Sequence, residues 1–215
     1  MIDTAFIETL FVVFSGLVFG SFVTLASYRL PRDEDIVFRG SHCRACNATL
    51  GFKDMWPVVS WLVSKGRCRH CGTKVSSRYP LIEMVTAAAF LVLYMRYGLT
   101  LQTVALALFA VALLVMIVAD LEHYIIPDQI HLFLLPLGLY YHFHAGTPFE
   151  EPLFGFLGGM ALGLGLHYGY RFLRRKEGLG FGDVKFLAIA GLWAGITALP
   201  PFLFLAGLFG VAPGL

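Results

Sequence analysis

The chain has 215 residues, 58% of them hydrophobic and 14% charged, with 20 Phe and 23 Gly. That is far more apolar than a soluble domain of this length needs for its core, and it excludes an ordinary globular protein. A net charge of +2 is too small to mark a nucleic-acid binder, yet ten of the 16 Lys and Arg fall between Arg29 and Arg78.

Seven apolar stretches approach the length needed to cross a bilayer core of about 30 Å. They are predicted near Ala5 to Tyr28, Leu81 to Tyr97, Leu101 to Ala119, Gln129 to His144, Leu153 to Leu173, Val184 to Ala198 and Pro200 to Pro213. The first has no basic leader and carries Asp3 and Glu8 instead, so it reads as a retained span and not a cleaved signal peptide. Gln129 to His144 and Val184 to Ala198 are short, and each is expected to borrow flanking residues or to tilt. The predicted fold class is an all-α polytopic membrane protein of about seven transmembrane helices with a small cytoplasmic zinc-binding loop domain. Residues 1–28 form the first span, 29–80 the loop domain and 81–215 the remaining membrane domain.

The basic residues set the orientation. With the N-terminus outside, the Arg29 to Arg78 loop, the turn after Asp120 and the run Arg171-Phe172-Leu173-Arg174-Arg175-Lys176 all fall on the cytoplasmic side, and only Arg96 is misplaced. The same assignment brings two acids, Asp120 and Asp183, to cytoplasmic helix ends.

All four cysteines lie in the loop, as Cys43-Arg44-Ala45-Cys46 and Cys68-Arg69-His70-Cys71, with 21 residues between the pairs. Two Cys-x-x-Cys knuckles at about this spacing suit a tetrahedral thiolate site. The competing reading is two disulfides; the reducing cytoplasmic side favours zinc. A redox pair needs only one Cys-x-x-Cys, and His42 and His70 read as bystanders. Four thiolates leave no open coordination position, so the metal is expected to be structural.

Asp120 terminates the third apolar run and begins Asp120-Leu121-Glu122-His123-Tyr124-Ile125-Ile126-Pro127-Asp128. Pro127 cannot continue a helix, so Asp128 reads first as a cap on the next one, while Glu122 and His123 read as solvated headgroup residues. Asp183 opens another apolar run inside Gly180-Phe181-Gly182-Asp183, where Gly180 and Gly182 leave the backbone free to take positive φ and to approach a neighbouring helix or a substrate closely. Lys185 reads as a headgroup or phosphate contact. No strand precedes these glycines, which excludes a nucleotide-binding loop. Ionisable groups at the edges of spans are expensive, and two carboxylates that share one proton supply an acid and a base together, the chemistry of an aspartic hydrolase.

Gly20-Ser21-Phe22, Arg29-Leu30-Pro31, the four cysteines, Tyr79-Pro80-Leu81-Ile82-Glu83, Asp120 with Ile126-Pro127-Asp128, and Gly180-Phe181-Gly182-Asp183-Val184-Lys185 occur in this order along nearly the whole chain. Together they resemble the type IV prepilin peptidases, the leader peptidase/N-methyltransferase family of GxGD intramembrane aspartic proteases. The resemblance implies that Asp120 and Asp183 are the catalytic pair, with Gly180, Gly182, Lys185, Asp128 and Glu83 as supporting motif residues. It implies that Cys43, Cys46, Cys68 and Cys71 bind zinc and that 81–215 is the peptidase domain. It further implies cleavage of the leader from type IV prepilins or type II secretion pseudopilins at the cytoplasmic face of the bacterial inner membrane, with S-adenosylmethionine-dependent N-methylation of the new N-terminus. The implied partners are that substrate and the lipid bilayer, with no nucleic acid and no indication of oligomeric state.

Thr24 departs from the asparagine common after Gly-Ser-Phe-x, and Glu122 from a frequent second aspartate. The end at Val211-Ala212-Pro213-Gly214-Leu215 falls where relatives continue into a further apolar segment, which reads as a shortened chain. Glu83 is expected to pair with a basic residue of the loop, or to belong to the methyl-transfer site. Gly158, Gly159, Gly163 and Gly165 read as a close-packing stripe in the fifth span. The competing function is a proton- or cation-coupled transporter with a metal-sensing loop, although its acids belong near the midplane between repeated halves, and no repeat is visible. A noncatalytic membrane scaffold leaves the aspartates unexplained.

Overall fold

The computed structural model describes residues 3–174, 179–201 and 203. It is all-α, and by packing it divides into two compact units, residues 1–125 and 126–215.

The first unit contains α1 (Thr4–Arg29), the short α2 (Val59–Val63), α3 (Arg78–Tyr97) and α4 (Leu101–His123). Asp3 caps α1 by accepting the Ala5 N–H at 3.3 Å, and Thr100 caps α4 by accepting the Thr103 N–H at 3.1 Å. Helix α1 packs mainly on α3, and glycines make the contact close. A Cβ on Gly16 would collide with the Ala87 backbone, and one on Gly20 with that of Glu83. Proline 31 ends α1 in a single 3₁₀ turn, and the buried Arg29 guanidinium then gathers the departing chain. It donates to the carbonyls of Asp35 (2.9 Å), Arg39 (2.7 Å) and Gly40 (2.9 Å).

The second unit contains α5 (Asp128–Ala145), α6 (Glu150–Arg174) and α7 (Phe181–Ala194). Helices α6 and α7 approach until backbone touches backbone. A Cβ on Gly155 or Gly191 would strike the other residue's carbonyl, and one on Gly159 the carbonyl of Leu187. Of the expected stripe, Gly159 and Gly163 lie in this contact; Gly158 meets only the side chains of Ile196 and Leu199, and Gly165 faces open space. Gly159→Val is therefore expected to destabilise the α6–α7 pair by about 1–3 kcal/mol, whereas Gly165→Val leaves it nearly unchanged. Detergent-titration midpoints followed by circular dichroism measure the difference; equal midpoints would remove the close-contact account.

Three of the described helices are long and apolar enough to cross a membrane: Thr4–Arg32, Arg78–Tyr97 and Leu101–His123, with mean hydropathies of 2.1, 1.3 and 2.8. Helix α7 has 14 residues, about 21 Å of length, and does not continue to Ala198 as the hydropathy predicts. Gly195, at φ +79°, breaks it ahead of a 3₁₀ turn over Ile196–Ala198. The seventh apolar run, Pro200 to Pro213, lies almost wholly outside the described residues.

Candidate active site and metal centre

The cysteine loop is built from two copies of one turn. In the first, the Cys43 N–H donates to Ala48 O at 2.9 Å and the Asn47 N–H to Cys43 O at 2.9 Å; in the second, the Cys68 N–H donates to Thr73 O and the Gly72 N–H to Cys68 O, each also at 2.9 Å. Asn47 and Gly72 take the same left-handed conformation, at φ 55° and 72°. Each turn closes with an antiparallel bridge, His42 to Thr49 and Arg67 to Lys74.

All four Sγ atoms thereby lie within 4.8 Å of one another, with Cys43 and Cys71 at 3.9 Å. A tetrahedral ion with bonds of about 2.3 Å needs sulfur separations of about 3.8 Å. None of the four is disulfide-bonded, so the two-disulfide reading is not the one adopted. The Cys71 thiol is held down to about 6 by the Thr73 hydroxyl, 3.3 Å away, and the Thr73 N–H; Cys43 is lowered by the N–H groups of Cys46 and Ala45. Cys46 is pushed the other way, to about 11, the Ala48 N–H being outweighed by desolvation and by the neighbouring Cys71 and Cys43 thiols, the repulsion of gathered sulfurs. It is the convergence of four thiols that fits a metal ion. Neither His42 nor His70 joins the cluster.

Asp120 lies in the last turn of α4, and its side chain is exposed on the protein surface. Its carbonyl accepts the Tyr124 N–H at 2.8 Å, and Tyr124, at φ 54°, ends the helix. Glu122 and His123 are not merely solvated. Glu122 is ion-paired with Arg78, and His123 Nε2 lies 3.0 Å from Arg32 Nη1, which ties the end of α4 to the start of α3 and the end of α1.

Asp183 is half-buried in the first turn of α7, where its Oδ2 accepts the Gly180 N–H at 3.1 Å. Gly180 precedes the helix in an extended conformation, at φ −66°, and Gly182 is helical. Neither glycine uses its freedom to take positive φ. Gly180 is small because the Asp183 carboxylate folds back over it; a Cβ there would stand 3.2 Å from Oδ2.

Two further expectations change. Asp128 is the first residue of α5, with Pro127 in the capping position, and its carboxylate makes no cap bond. It accepts instead from Lys185 Nζ at 2.7 Å, so Lys185 is paired within the protein and is not a free headgroup contact. Glu83 is buried in α3 and finds no basic partner among the described residues; its Oε2 accepts the Val58 N–H of the loop at 2.6 Å, and the Ser21 hydroxyl also bonds it.

Sequence reasoning passed over His167. Its Nδ1 lies 2.7 Å from the carbonyl of Leu179, which directly precedes Gly180, and its ring meets that of Phe181 edge-on at 5.7 Å. A lone histidine in an apolar helix was the available signal.

Comparison with known proteins decides the family. Residues 107–215 match the type IV leader peptidase family, and residues 14–97 match the bacterial peptidase A24 N-terminal domain. The chain belongs to the type IV leader peptidase family. A prepilin leader peptidase/N-methyltransferase of Aeromonas salmonicida is 35% identical over 189 residues, covering 86% of this chain and 65% of the relative. The chain therefore spans slightly less than two thirds of that relative's length. Relatives with the same name from Klebsiella pneumoniae and Bacillus subtilis are 33% and 32% identical; they cover 91% and 93% of this chain, which spans 89% and 79% of them. No solved structure matches. Both aspartates fall inside the residues matched by the leader peptidase family, Asp183 in the first turn of α7 and Asp120 in the last turn of α4.

Proposed function

We propose that the chain is a membrane aspartic endopeptidase that removes the leader from type IV prepilins or type II secretion pseudopilins, with Asp120 and Asp183 as its catalytic pair. Family membership over both halves of the chain carries this reading. In the proposed orientation the N-terminus is outside, the chain crosses the inner membrane about seven times and hydrolysis occurs near the cytoplasmic face, in keeping with the basic loops.

One carboxylate, ionised, takes a proton from water while the other, protonated, donates a hydrogen bond to the scissile carbonyl oxygen. The water oxygen bonds to the carbonyl carbon and gives a tetrahedral diol. The protonated carboxyl gives its proton to the carbonyl oxygen as the diol forms and takes one hydroxyl proton back as it collapses. The carboxyl that took the water proton delivers it to the departing nitrogen, so the C–N bond breaks and the mature chain leaves as a free amine. The Gly180 N–H fixes Oδ2 of Asp183, which orients the carboxylate and leaves Oδ1 for water or substrate. The metal of the four cysteines is proposed to be zinc, a structural ion that holds the two turns together and takes no part in hydrolysis.

The relatives' name carries a second activity, N-methyl transfer, and S-adenosylmethionine is proposed as the methyl donor for the new N-terminus. The Thr24 hydroxyl donates to Ser21 O at 2.8 Å, and the Glu83 carboxylate accepts from the Val58 N–H.

The test is purified protein in lipid with a prepilin carrying its leader. Cleavage to mature pilin is expected; ion flux without cleavage would favour the transporter. His167 gives a finer prediction. Asn reproduces an Nδ–H donor, so His167→Asn is expected to keep most of the rate, while His167→Leu frees the Leu179 carbonyl and lowers kcat by about tenfold with little change in KM. Equal rates in the two variants would show that the bond to Leu179 does not position Asp183.

A further inference from the structure

The loop between α1 and α3 folds back onto α3. Glu83 lies in the second turn of α3, and its backbone abuts Gly20, which is roughly 13 Å along the axis from Arg29 at 1.5 Å per residue. The Val58 N–H bonds Glu83 Oε2 at 2.6 Å, so the loop is fastened to α3 just inside its first turns, beside the α1–α3 contact.

The backbone there is strained. Val58 has φ 59° and ψ −50°, and the Val59 N–H donates to Pro57 O at 2.5 Å, a three-residue turn that a β-branched residue rarely adopts. Such a turn persists only when its surroundings over-determine it, and the buried Glu83 carboxylate supplies that hold.

Around this turn the apolar side chains point away from the protein. Trp56, Val59, Leu62 and Val63 are 48%, 50%, 60% and 66% exposed. With Lys53, Trp56 and Arg69, Val59 and Val63 line an open hollow of about 440 Å³. Basic residues frame the patch: between residues 51 and 74 the chain carries Lys53, Lys65, Arg67, Arg69 and Lys74 against a single acid, Asp54, which pairs with Arg69 at 3.5 Å. Apolar side chains backed by cations are the composition of an element lying in the headgroup–acyl boundary of an anionic leaflet.

We propose that Met55–Val63 is an interfacial foot, held by Glu83, that rests in the headgroup–acyl boundary and anchors the metal-binding turns to the inner leaflet. Its occupant is lipid, acyl chains against Trp56, Val59, Leu62 and Val63 and anionic headgroups against the surrounding cations. The proposal rests on the membrane reading of α1 and α3 and not on the peptidase reading.

The test is fluorescence of the full chain carrying Trp61→Phe and Trp193→Phe, which leaves Trp56 as the one indole, in phosphatidylcholine–phosphatidylglycerol vesicles. Lipid brominated at carbons 6 and 7 is expected to quench most of the emission, and aqueous iodide little of it. A companion variant, Trp56→Phe in the otherwise natural chain, should lose the same lipid-quenchable fraction; it reports the answer should the double variant fold poorly. Quenching by iodide and not by bromolipid would overturn the proposal by setting the segment in water. Resistance to both quenchers would overturn it equally, by showing that protein, a second copy of the chain, covers the patch.

Discussion

Asp183→Asn and Asp120→Asn are each expected to lower prepilin cleavage by about 10²–10⁴-fold, the usual contribution of a positioned acid or base. Asparagine keeps the shape of the side chain, so membrane insertion and the α7 cap are retained: the amide oxygen still accepts the Gly180 N–H that Asp183 Oδ2 accepts at 3.1 Å. What is lost is the capacity to take up or give a proton. If the two carboxylates act on one water as a unit, as proposed, the double variant is expected to be no slower than the worse single one. Multiplying losses would mean that the acids work at separate steps, and full cleavage by either variant in a liposome assay would remove that residue from the chemistry. Asp128→Asn provides the contrast. Its carboxylate serves Lys185 at 2.7 Å, and its replacement should change kcat far less than either catalytic substitution.

Removal of the metal is the second large effect. The two turns bury little of their own surface, and Cys46 and Cys71 are exposed, so the loop has no core that would keep Cys43–Cys71 together without an ion. Structural zinc supplies about 10–16 kcal/mol of binding energy in small peptides at neutral pH, far more than the turn hydrogen bonds contribute. Exposure to a strong chelator, or Cys43→Ser, is expected to release one zinc per chain and to make amides of the two metal turns, residues 41–50 and 67–74, exchange rapidly with solvent. Exchange within α3 and α4 should stay slow. Zinc content by elemental analysis and exchange by mass spectrometry measure the two parts separately. An unaltered exchange pattern after complete metal loss would contradict a structural role.

The elements that hydropathy and spacing reveal locally were legible in the sequence. Helix α4 begins at the predicted Leu101, α3 ends at the predicted Tyr97, and the four cysteines converge as their repeated Cys-x-x-Cys spacing requires. Misread features depend on partners that sequence distance hides. Lys185 reads as a headgroup contact because it opens an apolar span; its partner, Asp128, is remote in sequence. Glu83 was given a cation because buried acids usually have one, yet a strained turn delivers a backbone N–H instead. The glycine stripe was drawn along one helix, whereas the contact is decided by where Gly191 and Leu187 of α7 arrive, which leaves Gly165 outside. Glycines 180 and 182 were read for their freedom of φ, while Gly180 is needed for the space that a returning carboxylate occupies.

The most direct test of the paired-aspartate account is the affinity of a pilin-derived peptide in which a hydroxyethylene unit replaces the scissile amide, a stable mimic of the tetrahedral diol. If Asp120 and Asp183 close on one reacting carbon, the natural chain binds this peptide at least about 10²-fold more tightly than the same peptide with a plain methylene at that position, and either Asn variant loses most of that margin. Equal affinity for the two peptides, or a margin that survives in Asp120→Asn or Asp183→Asn, would contradict it.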